Sequence, residues 1–483
     1  MKRTFLNNLA FLILINILIK PFWIFGIDRT VQNMLGAEVY GNYFVLFNFS
    51  FLFSMLLDFG ISNFNKRAVA RHEHLVKTFL PNIFLAKWLL SALYLLVTFA
   101  LAMSLGFGHF SIKLLYFLAA NQILISFIAY FRSNISAMHF FKLDALLSVL
   151  DKVLMIMLFS WLIWFRNSAE PFKIEWFVWG QSAVYLLTAF LALATVLFKT
   201  GLIAIKWNQH IFRIVLKHSF PFALLGLLMT IYNRIDAIMI DRMLGNDGAR
   251  EAGVYAASYR ILDAANMIGF SFATILLPMF ARMMRKKQSI KPLVNLAFRS
   301  VWVIALSCAA FCFFYADDIM QVLYVEASAY WSSIFSWLML SFLSVSTMYI
   351  FGTLLTAAGK LKAMNYLAMG GVVANILLNA ILIVRWEALG ATWATLFTQS
   401  LIAIIQIFLC YRFFNLGHSA KLFLQILIYS VFVFLLFYIS SYLPFVWLVN
   451  ASFAIIGALI LAIITRMFRL RDWQNGEIVK SSD

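Results

Sequence analysis

Charged residues are scarce in this chain. Asp, Glu, Lys and Arg make up 12% of its 483 residues, whereas hydrophobic residues make up 64%. An average soluble domain carries about 25% charged residues. A globule of this length cannot hide so much apolar surface from water. We therefore exclude a soluble protein and expect lipid to cover most of the chain.

Cysteine is also rare. The three cysteines, Cys308, Cys312 and Cys410, all lie in apolar stretches. A disulfide framework or a metal centre needs more ligands than these, so we interpret them as buried thiols. No predicted loop is long enough to form a domain of its own, which excludes a soluble catalytic domain.

Negative charge is the scarcer sign, because 38 Lys and Arg residues face 20 Asp and Glu residues, for a net charge of +18. The basic residues lie mainly in short segments between apolar runs, which is typical of membrane topology rather than of nucleic-acid binding. Runs of about 20 apolar residues are needed to cross a bilayer. They predict about fourteen spans, at 6–27, 39–60, 79–104, 112–135, 145–165, 174–198, 214–240, 252–280, 295–315, 329–357, 362–384, 389–413, 421–441 and 444–466.

The basic residues also set the predicted orientation. With the N-terminus in the cytoplasm, 27 of the 38 Lys and Arg residues fall in cytoplasmic segments and 7 in external loops. Cytoplasmic loops of membrane proteins are enriched in Lys and Arg. We therefore expect an all-α polytopic membrane protein with both termini in the cytoplasm.

A short motif occurs twice. Residues 27–43 read IDRTVQNMLGAEVYGNY, and residues 240–259 read IDRMLGNDGAREAGVYAASY. The copies are six predicted helices apart, and this even number gives them the same orientation. The repeat predicts two parallel, pseudo-twofold-related six-helix bundles, residues 1–205 and 206–416. Two extra helices and a cytoplasmic tail follow in residues 417–483.

We interpret seven ionisable residues of the predicted spans as intramembrane charges: Lys20, Asp58, Lys87, Arg234, Asp236, Arg260 and Asp263. A charge at the centre of a membrane helix costs about 2.5–3.5 kcal/mol on insertion scales. Lys20 lies past the midplane and precedes Pro21, which removes a backbone hydrogen bond. We predict that Lys20 faces a cavity, with a proline kink that serves only packing as the alternative.

Lys87 and Asp58 lie nearer the cytoplasmic ends of their spans. We interpret Lys87 as a side chain that extends to the cytoplasmic interface, and Asp58 as an interfacial residue.

The second copy of the repeat carries charge at a similar depth. Shifting Lys20 by 213 residues gives Asn233, which is adjacent to Arg234. A cation in the first helix of each bundle predicts positive walls on a central cleft, and such walls select phosphate or carboxylate. Arg260 and Asp263 lie one helical turn apart, so a purely structural ion pair remains an alternative there.

Three stretches resemble a known family: IKPFWIFGIDRTVQN, LLDFGISNFNKR and NRIDAIMIDRMLG. They are similar to bacterial polysaccharide-repeat-unit flippases, the O-antigen and capsule exporters of the multidrug/oligosaccharidyl-lipid/polysaccharide (MOP) superfamily. The resemblance implies two six-helix lobes that form a V. It also implies alternating access that carries a polyprenyl-diphosphate-linked oligosaccharide from the cytoplasmic to the periplasmic leaflet of the bacterial inner membrane.

The resemblance further implies which residues act. The cations that fit substrate binding are Lys20, Arg29, Arg234 and Arg260, with Arg29 at the outer mouth. The carboxylates that fit gating or binding of a coupling cation are Asp236 and Asp263. A Na⁺ or H⁺ gradient or the membrane potential would drive the cycle, and no cofactor or metal is expected. Expected partners are membrane lipids and the polymerase and glycosyltransferases of the same pathway, but no nucleic acid.

Other functions stay open at this stage. A multidrug/cation antiporter of the same superfamily would need an acidic pocket, which Asp236 and Asp263 leave open. A flippase for a lipid-linked peptidoglycan precursor would share the cationic cavity. A membrane glycosyltransferase or polymerase would use external carboxylates such as Asp317 and Asp318, but this pair fits the polar end of a helix better. We predict a transporter and not an enzyme.

Overall fold

The structure is a computed structural model that describes residues 16, 18–61, 76–138, 140–166, 170–201, 209–416 and 420–467. All regular elements within these ranges are helical. The α-helices are α1 (Arg29–Leu52), α2 (Val76–Ser104), α3 (His109–Ala137), α4 (Phe141–Ser160), α5 (Ile174–Thr200), α6 (Gln209–Leu244), α7 (Gly248–Arg285), α8 (Lys291–Phe314), α9 (Ala316–Leu323), α10 (Ala329–Ala357), α11 (Leu361–Phe414), α12 (Ala420–Ser441) and α13 (Trp447–Ile464). The predicted all-α class is confirmed.

Ten stretches among the described residues are long and apolar enough to cross a membrane. Eight match single predicted spans, and the two longest each cover two. Phe220–Arg285 has 66 residues and Leu361–Phe414 has 54, so at 1.5 Å per residue each is about three times the thickness of a 30 Å hydrocarbon core. A 3₁₀ turn at Gly245–Asp247 interrupts the first, and a non-helical Glu387 interrupts the second.

The first two predicted spans are not among these ten stretches. Most of 6–27 lies outside the described residues. The predicted helix over 39–60 is wrong at its C-terminal end, because α1 ends at Leu52, a 3₁₀ turn follows at Ser54–Leu57 and Phe59 has a φ of 44°. The total of fourteen spans stays a prediction.

The helix distortion expected at Pro21 takes the form of a π-helical segment. Residues Trp23–Asp28 form a π-helical segment directly before α1. Pro21 has no N–H to donate, and local π-helical adjustments help membrane helices to tolerate a proline. The external loop expected next is reduced to a kink within α1 at Gly36, which has φ 78° and ψ 166°.

The chain divides into two compact units, residues 1–256 and 257–483. In the first unit α3 packs on α5, and α1 packs on α6. In the second unit α10 packs on α8 and α11, and α12 packs on α13. The predicted boundary after residue 205 comes from the sequence repeat and stays a prediction.

Candidate functional site

A lysine lies at the middle of α4. Lys152 is next to the midpoint of the apolar stretch Phe141–Phe165, and its side chain is 19% exposed. Its Nζ lies 3.3 Å from Asp151 Oδ2 and donates to the Tyr185 hydroxyl at 3.2 Å. The Trp23 ring centroid is 5.3 Å from the same Nζ. These contacts offset part of the cost of an ammonium group at this depth.

Lys20 belongs to the same charged group. The charges of Asp151, Lys152 and Arg132 act on its ammonium group, and its side chain is half-buried. Arg132 donates through Nε to Asp144 Oδ1 at 2.9 Å. We call these five residues the Lys20–Lys152 cluster; it holds three cations against two carboxylates.

A hydrogen bond one turn away aligns the two lysines. Asn16 Nδ2 donates to Ser148 Oγ at 3.0 Å, and this bond ties the segment before the π-helical turn to α4. Lys20 follows Asn16 by four residues, and Lys152 follows Ser148 by four, so each lysine shares a helix face with one partner of the bond. The excess of cations in an apolar surrounding makes the cluster a candidate site for a phosphate or carboxylate.

Sequence reasoning missed Lys152. The fifth span was predicted at 145–165 and already contained Lys152, but this lysine was counted with the basic residues of the preceding cytoplasmic segment. Helix α4 begins at Phe141 and places Lys152 eleven residues inside the helix. The signal that could have found it is the Asp-Lys pair within SVLDKVLM. Apolar residues flank this pair on both sides, which is unusual for a loop.

Two buried carboxylates have matching partners, one in the first copy of the repeat and one four residues before the second copy. The Tyr40 hydroxyl donates to Asp28 Oδ2 at 2.7 Å, and the Tyr255 hydroxyl donates to Asp236 Oδ2 at 2.9 Å. Asp28 is 2% exposed and Asp236 is 1% exposed. The structural counterpart of Asp236 is therefore Asp28. The Ile-Asp-Arg alignment had paired Asp28 with Asp241 instead.

The two copies of the repeat meet where α1 crosses the first turns of α7, within the first unit. A Cβ atom on Gly41 would overlap the Ala249 carbonyl oxygen, and a Cβ atom on Gly253 would overlap the Ala37 carbonyl oxygen. Only glycine fits at either position. Gln32 Nε2 also donates to the Gly253 carbonyl oxygen at 3.0 Å. The contact is reciprocal, as expected for two related segments.

The other candidate residues lie elsewhere on these helices. Arg29 begins α1, and the Arg234 guanidinium lies 5.4 Å from the Phe51 ring centroid in the first unit. Arg260 and Asp263 lie one turn apart on α7, in the second unit, and both are partly exposed. The charged neighbours of Lys20 named above come from α3 and α4, whereas the repeat had matched Lys20 with the position of Arg234.

Lys87 differs from its interpretation as an interfacial side chain. It is 1% exposed, and its Nζ donates to the Leu57 carbonyl oxygen at 3.0 Å, Asp58 Oδ1 at 3.2 Å and Ser126 Oγ at 2.7 Å. These acceptors match the three protons of an ammonium group. Because Leu57 closes the 3₁₀ turn after α1, Lys87 holds the early end of that helix in place.

External carboxylates and metal ligands offer no further site. Asp317 and Asp318 lie in the first turn of the short helix α9, where partial burial and the neighbouring charge of Asp317 raise the pKa of Asp318. Within the described residues, no group of three or more His, Cys, Asp and Glu side chains is placed to hold a metal ion.

Comparison with known proteins adds a family and a fold. Residues 5–284, more than half of the chain, match the family described as "Polysaccharide biosynthesis protein". An uncharacterised membrane protein of Methanocaldococcus jannaschii is 23% identical over 393 residues, which cover 78% of this chain and 91% of that protein. The chain is thus a multi-pass membrane protein.

Two solved structures have the same fold. A lipid II flippase MurJ in an inward closed conformation gives a TM-score of 0.71 at 14% identity and covers 93% of this chain and 97% of its own. An inward-facing multidrug resistance MATE family transporter of the MOP superfamily gives 0.63 at 15% identity, covering 81% and 92%. The family match confirms the predicted family, and these two structures confirm the predicted MOP-superfamily fold.

Proposed function

Since the chain belongs to the polysaccharide biosynthesis protein family and has a MurJ/MATE-like transporter fold, we propose that it flips a polyprenyl-diphosphate-linked oligosaccharide. The cargo is a repeat unit of O-antigen, capsule or exopolysaccharide. It moves from the cytoplasmic to the periplasmic leaflet of a bacterial inner membrane by alternating access.

The observation that carries this proposal is the Lys20–Lys152 cluster. Two lysines lie within the range of each other's charge at membrane depth, although each ammonium group costs about 2.5–3.5 kcal/mol there on insertion scales. Asp151 compensates only part of their charge. A diphosphate carries enough negative charge to balance both lysines and accepts several charge-assisted hydrogen bonds.

The remaining candidate residues have proposed roles along the route. Arg29 attracts the diphosphate at the outer mouth, and Arg234 and Arg260 contact it during transit. Asp236 and Asp263 gate the route or bind a coupling cation. A Na⁺ or H⁺ gradient or the membrane potential drives the cycle, because moving one charge through 100 mV is worth about 2.3 kcal/mol.

The architecture belongs to the proposal as well. Two six-helix lobes, residues 1–205 and 206–416, form a V, and the last two of about fourteen spans follow with the tail in residues 417–483. Both termini face the cytoplasm. The polymerase and glycosyltransferases of the same pathway are the proposed protein partners.

Lipid-linked peptidoglycan precursor is a second candidate cargo, favoured by the similarity to the fold of a lipid II flippase. Its diphosphate would use the same cluster, so the two cargos differ only in the sugar. The multidrug antiporter reading fits less well, because a cationic drug would be repelled by Lys20 and Lys152.

The decisive experiment uses lipids extracted from cells that lack this protein. We expect complete polyprenyl-diphosphate oligosaccharides to accumulate on the cytoplasmic side, and mass spectrometry of the lipid identifies the sugar. Accumulated peptidoglycan precursor would select the second cargo. Unchanged lipid-linked sugars together with a new sensitivity to cationic compounds would overturn the proposal in favour of an antiporter.

Variants then test the cluster itself. Loss of a charge-assisted bond of about 1.5–3 kcal/mol predicts that Lys20→Gln and Lys152→Gln each lower export about tenfold or more at normal protein levels. Lys113→Gln, an exposed lysine of α3, is the matched control and should export normally. Normal export by both cluster variants would remove the cluster from the route.

A further inference from the structure

A basic turn joins α7 to α8 in the second unit. Residues 282–291 read RMMRKKQSIK and contain five cations and no acidic residue. The cations are Arg282, Arg285, Lys286, Lys287 and Lys291, and all but Lys291, which is partly exposed, are exposed. We call this segment the basic turn.

The basic turn lies at a membrane surface. The apolar stretch before it ends at Arg285, and the next one begins at Lys291. Ile290 is 8% exposed and Leu293 is 4% exposed, so apolar side chains anchor the turn to the helices. Its cations are therefore held at the level of the lipid head groups instead of on a free loop.

Several cations of the described residues have carboxylate partners, whereas those of the basic turn do not. Ion pairs join Lys87 to Asp58, Arg132 to Asp144, Lys152 to Asp151 and Arg242 to Asp241. Across the described part of the chain, no acidic side chain pairs with a cation of the basic turn. The turn thus presents five uncompensated charges to an outside partner.

A second turn with the same pattern of backbone hydrogen bonds provides an internal comparison. Between α10 and α11, the Gly359 N–H donates to the Thr356 carbonyl and the Lys360 N–H to the Leu355 carbonyl, both at 3.0 Å. Gly359 has a φ of 70°. This is the usual way in which a helix ends, with glycine at the left-handed position.

In the basic turn a lysine occupies that left-handed position. The Lys287 N–H donates to the Met284 carbonyl at 3.1 Å and the Gln288 N–H to the Met283 carbonyl at 3.0 Å, and Lys287 has a φ of 54°. A side chain is disfavoured at this φ. The orientation of a protein in the membrane depends only on positive charge somewhere in a loop. It does not explain why a lysine occupies the least favourable backbone position of this turn.

We infer that the basic turn binds the phosphate head groups of anionic membrane lipids. Clusters of four to eight Lys and Arg residues next to a membrane span attract anionic lipids. Five unpaired cations within ten residues fall in that range. The inference is independent of the transported cargo.

The test compares two charge-removing double variants of the full-length protein in detergent. The first is Lys286→Gln with Lys287→Gly, and the control is Lys360→Gln with Lys362→Gln, at the turn that already has glycine. Native mass spectrometry measures the binding of phosphatidylglycerol, with phosphatidylcholine as the neutral probe. Lys287→Gly removes a charge and relieves the left-handed strain, so this variant should melt no lower than the wild type.

We expect phosphatidylglycerol binding to weaken about fivefold for each cation removed from the basic turn, and to weaken further as salt is raised. The control should change about twofold or less, and phosphatidylcholine binding should not change. Equal losses for both double variants, equal losses for both lipids, or no loss at the basic turn would overturn the inference.

Discussion

Each copy of the repeat bonds a tyrosine hydroxyl to a buried carboxylate, but the backbones that do so differ. In the first copy Tyr40 reaches Asp28 across 12 residues, and in the second Tyr255 reaches Asp236 across 19 residues. The first copy uses a π-helical segment that ends at Asp28. The second uses an uninterrupted stretch of α6. The buried carboxylate–tyrosine pair is therefore preserved while the connection between its members changes length.

This difference explains why aligning the identical Ile-Asp-Arg triplets pairs the wrong charged residues. Aligning the Ile-Asp-Arg triplets pairs Asp28 with Asp241, but the hydrogen bonds pair it with Asp236. With the second register, Lys20 falls opposite Leu228, six residues before Arg234. The two copies thus share a carboxylate position but differ in the position of their intramembrane cations.

The largest expected effect comes from the glycines at the crossing of α1 and α7. Gly41→Ala and Gly253→Ala would each drive a Cβ atom into a backbone carbonyl, so we expect losses above about 3 kcal/mol. Thermal melting in detergent measures this. Gly370→Ala is the control, because no atom outside its own helix lies within 4 Å of its Cβ position. If one of the two crossing variants melts normally, the contact is not reciprocal.

The carboxylate pairs should give a smaller and equal effect. A hydrogen bond to a charged group contributes about 1.5–3 kcal/mol, so double-mutant cycles of Asp28→Asn with Tyr40→Phe and of Asp236→Asn with Tyr255→Phe should give similar coupling energies. Chemical unfolding in detergent measures them. A cycle that couples in one copy alone would show that the copies are equivalent in geometry but not in energy.

The smallest expected effects come from replacing the arginines of the two Ile-Asp-Arg triplets, Arg29 and Arg242. Arg242 donates to the Leu105 carbonyl at 3.1 Å and lies 3.8 Å from the Phe107 ring centroid, so Arg242→Gln should lower stability by about 1 kcal/mol and leave export intact. Arg29→Gln should lower export instead. The measurements are melting temperature and surface polysaccharide, and swapped results would exchange the two roles.

The fold class could be predicted from the sequence because long apolar runs and basic loops act through the lipid solvent alone. The finer features depend on neighbours that sequence does not display. The sequence predicts an interfacial position for Lys87, because it does not reveal that the Leu57 carbonyl oxygen accepts a hydrogen bond from the lysine. Lys152 was counted as a loop residue because basic residues near the end of a span are usually cytoplasmic. The register of the repeat depended on a π-helical segment, which leaves no reliable signal in a single sequence.

The bond between Asn16 and Ser148 joins residues 132 positions apart, and this has a consequence for biosynthesis. A ribosome adds about 5–20 residues per second, so the first helix waits roughly 7–26 s for its partner to emerge. During that interval Lys20 lacks Asp151, whereas Lys152 leaves the ribosome directly behind its own counter-ion. The nascent chain thus holds an uncompensated lysine near the insertion machinery for many seconds, and the first helix becomes a natural client for factors that shelter polar membrane segments.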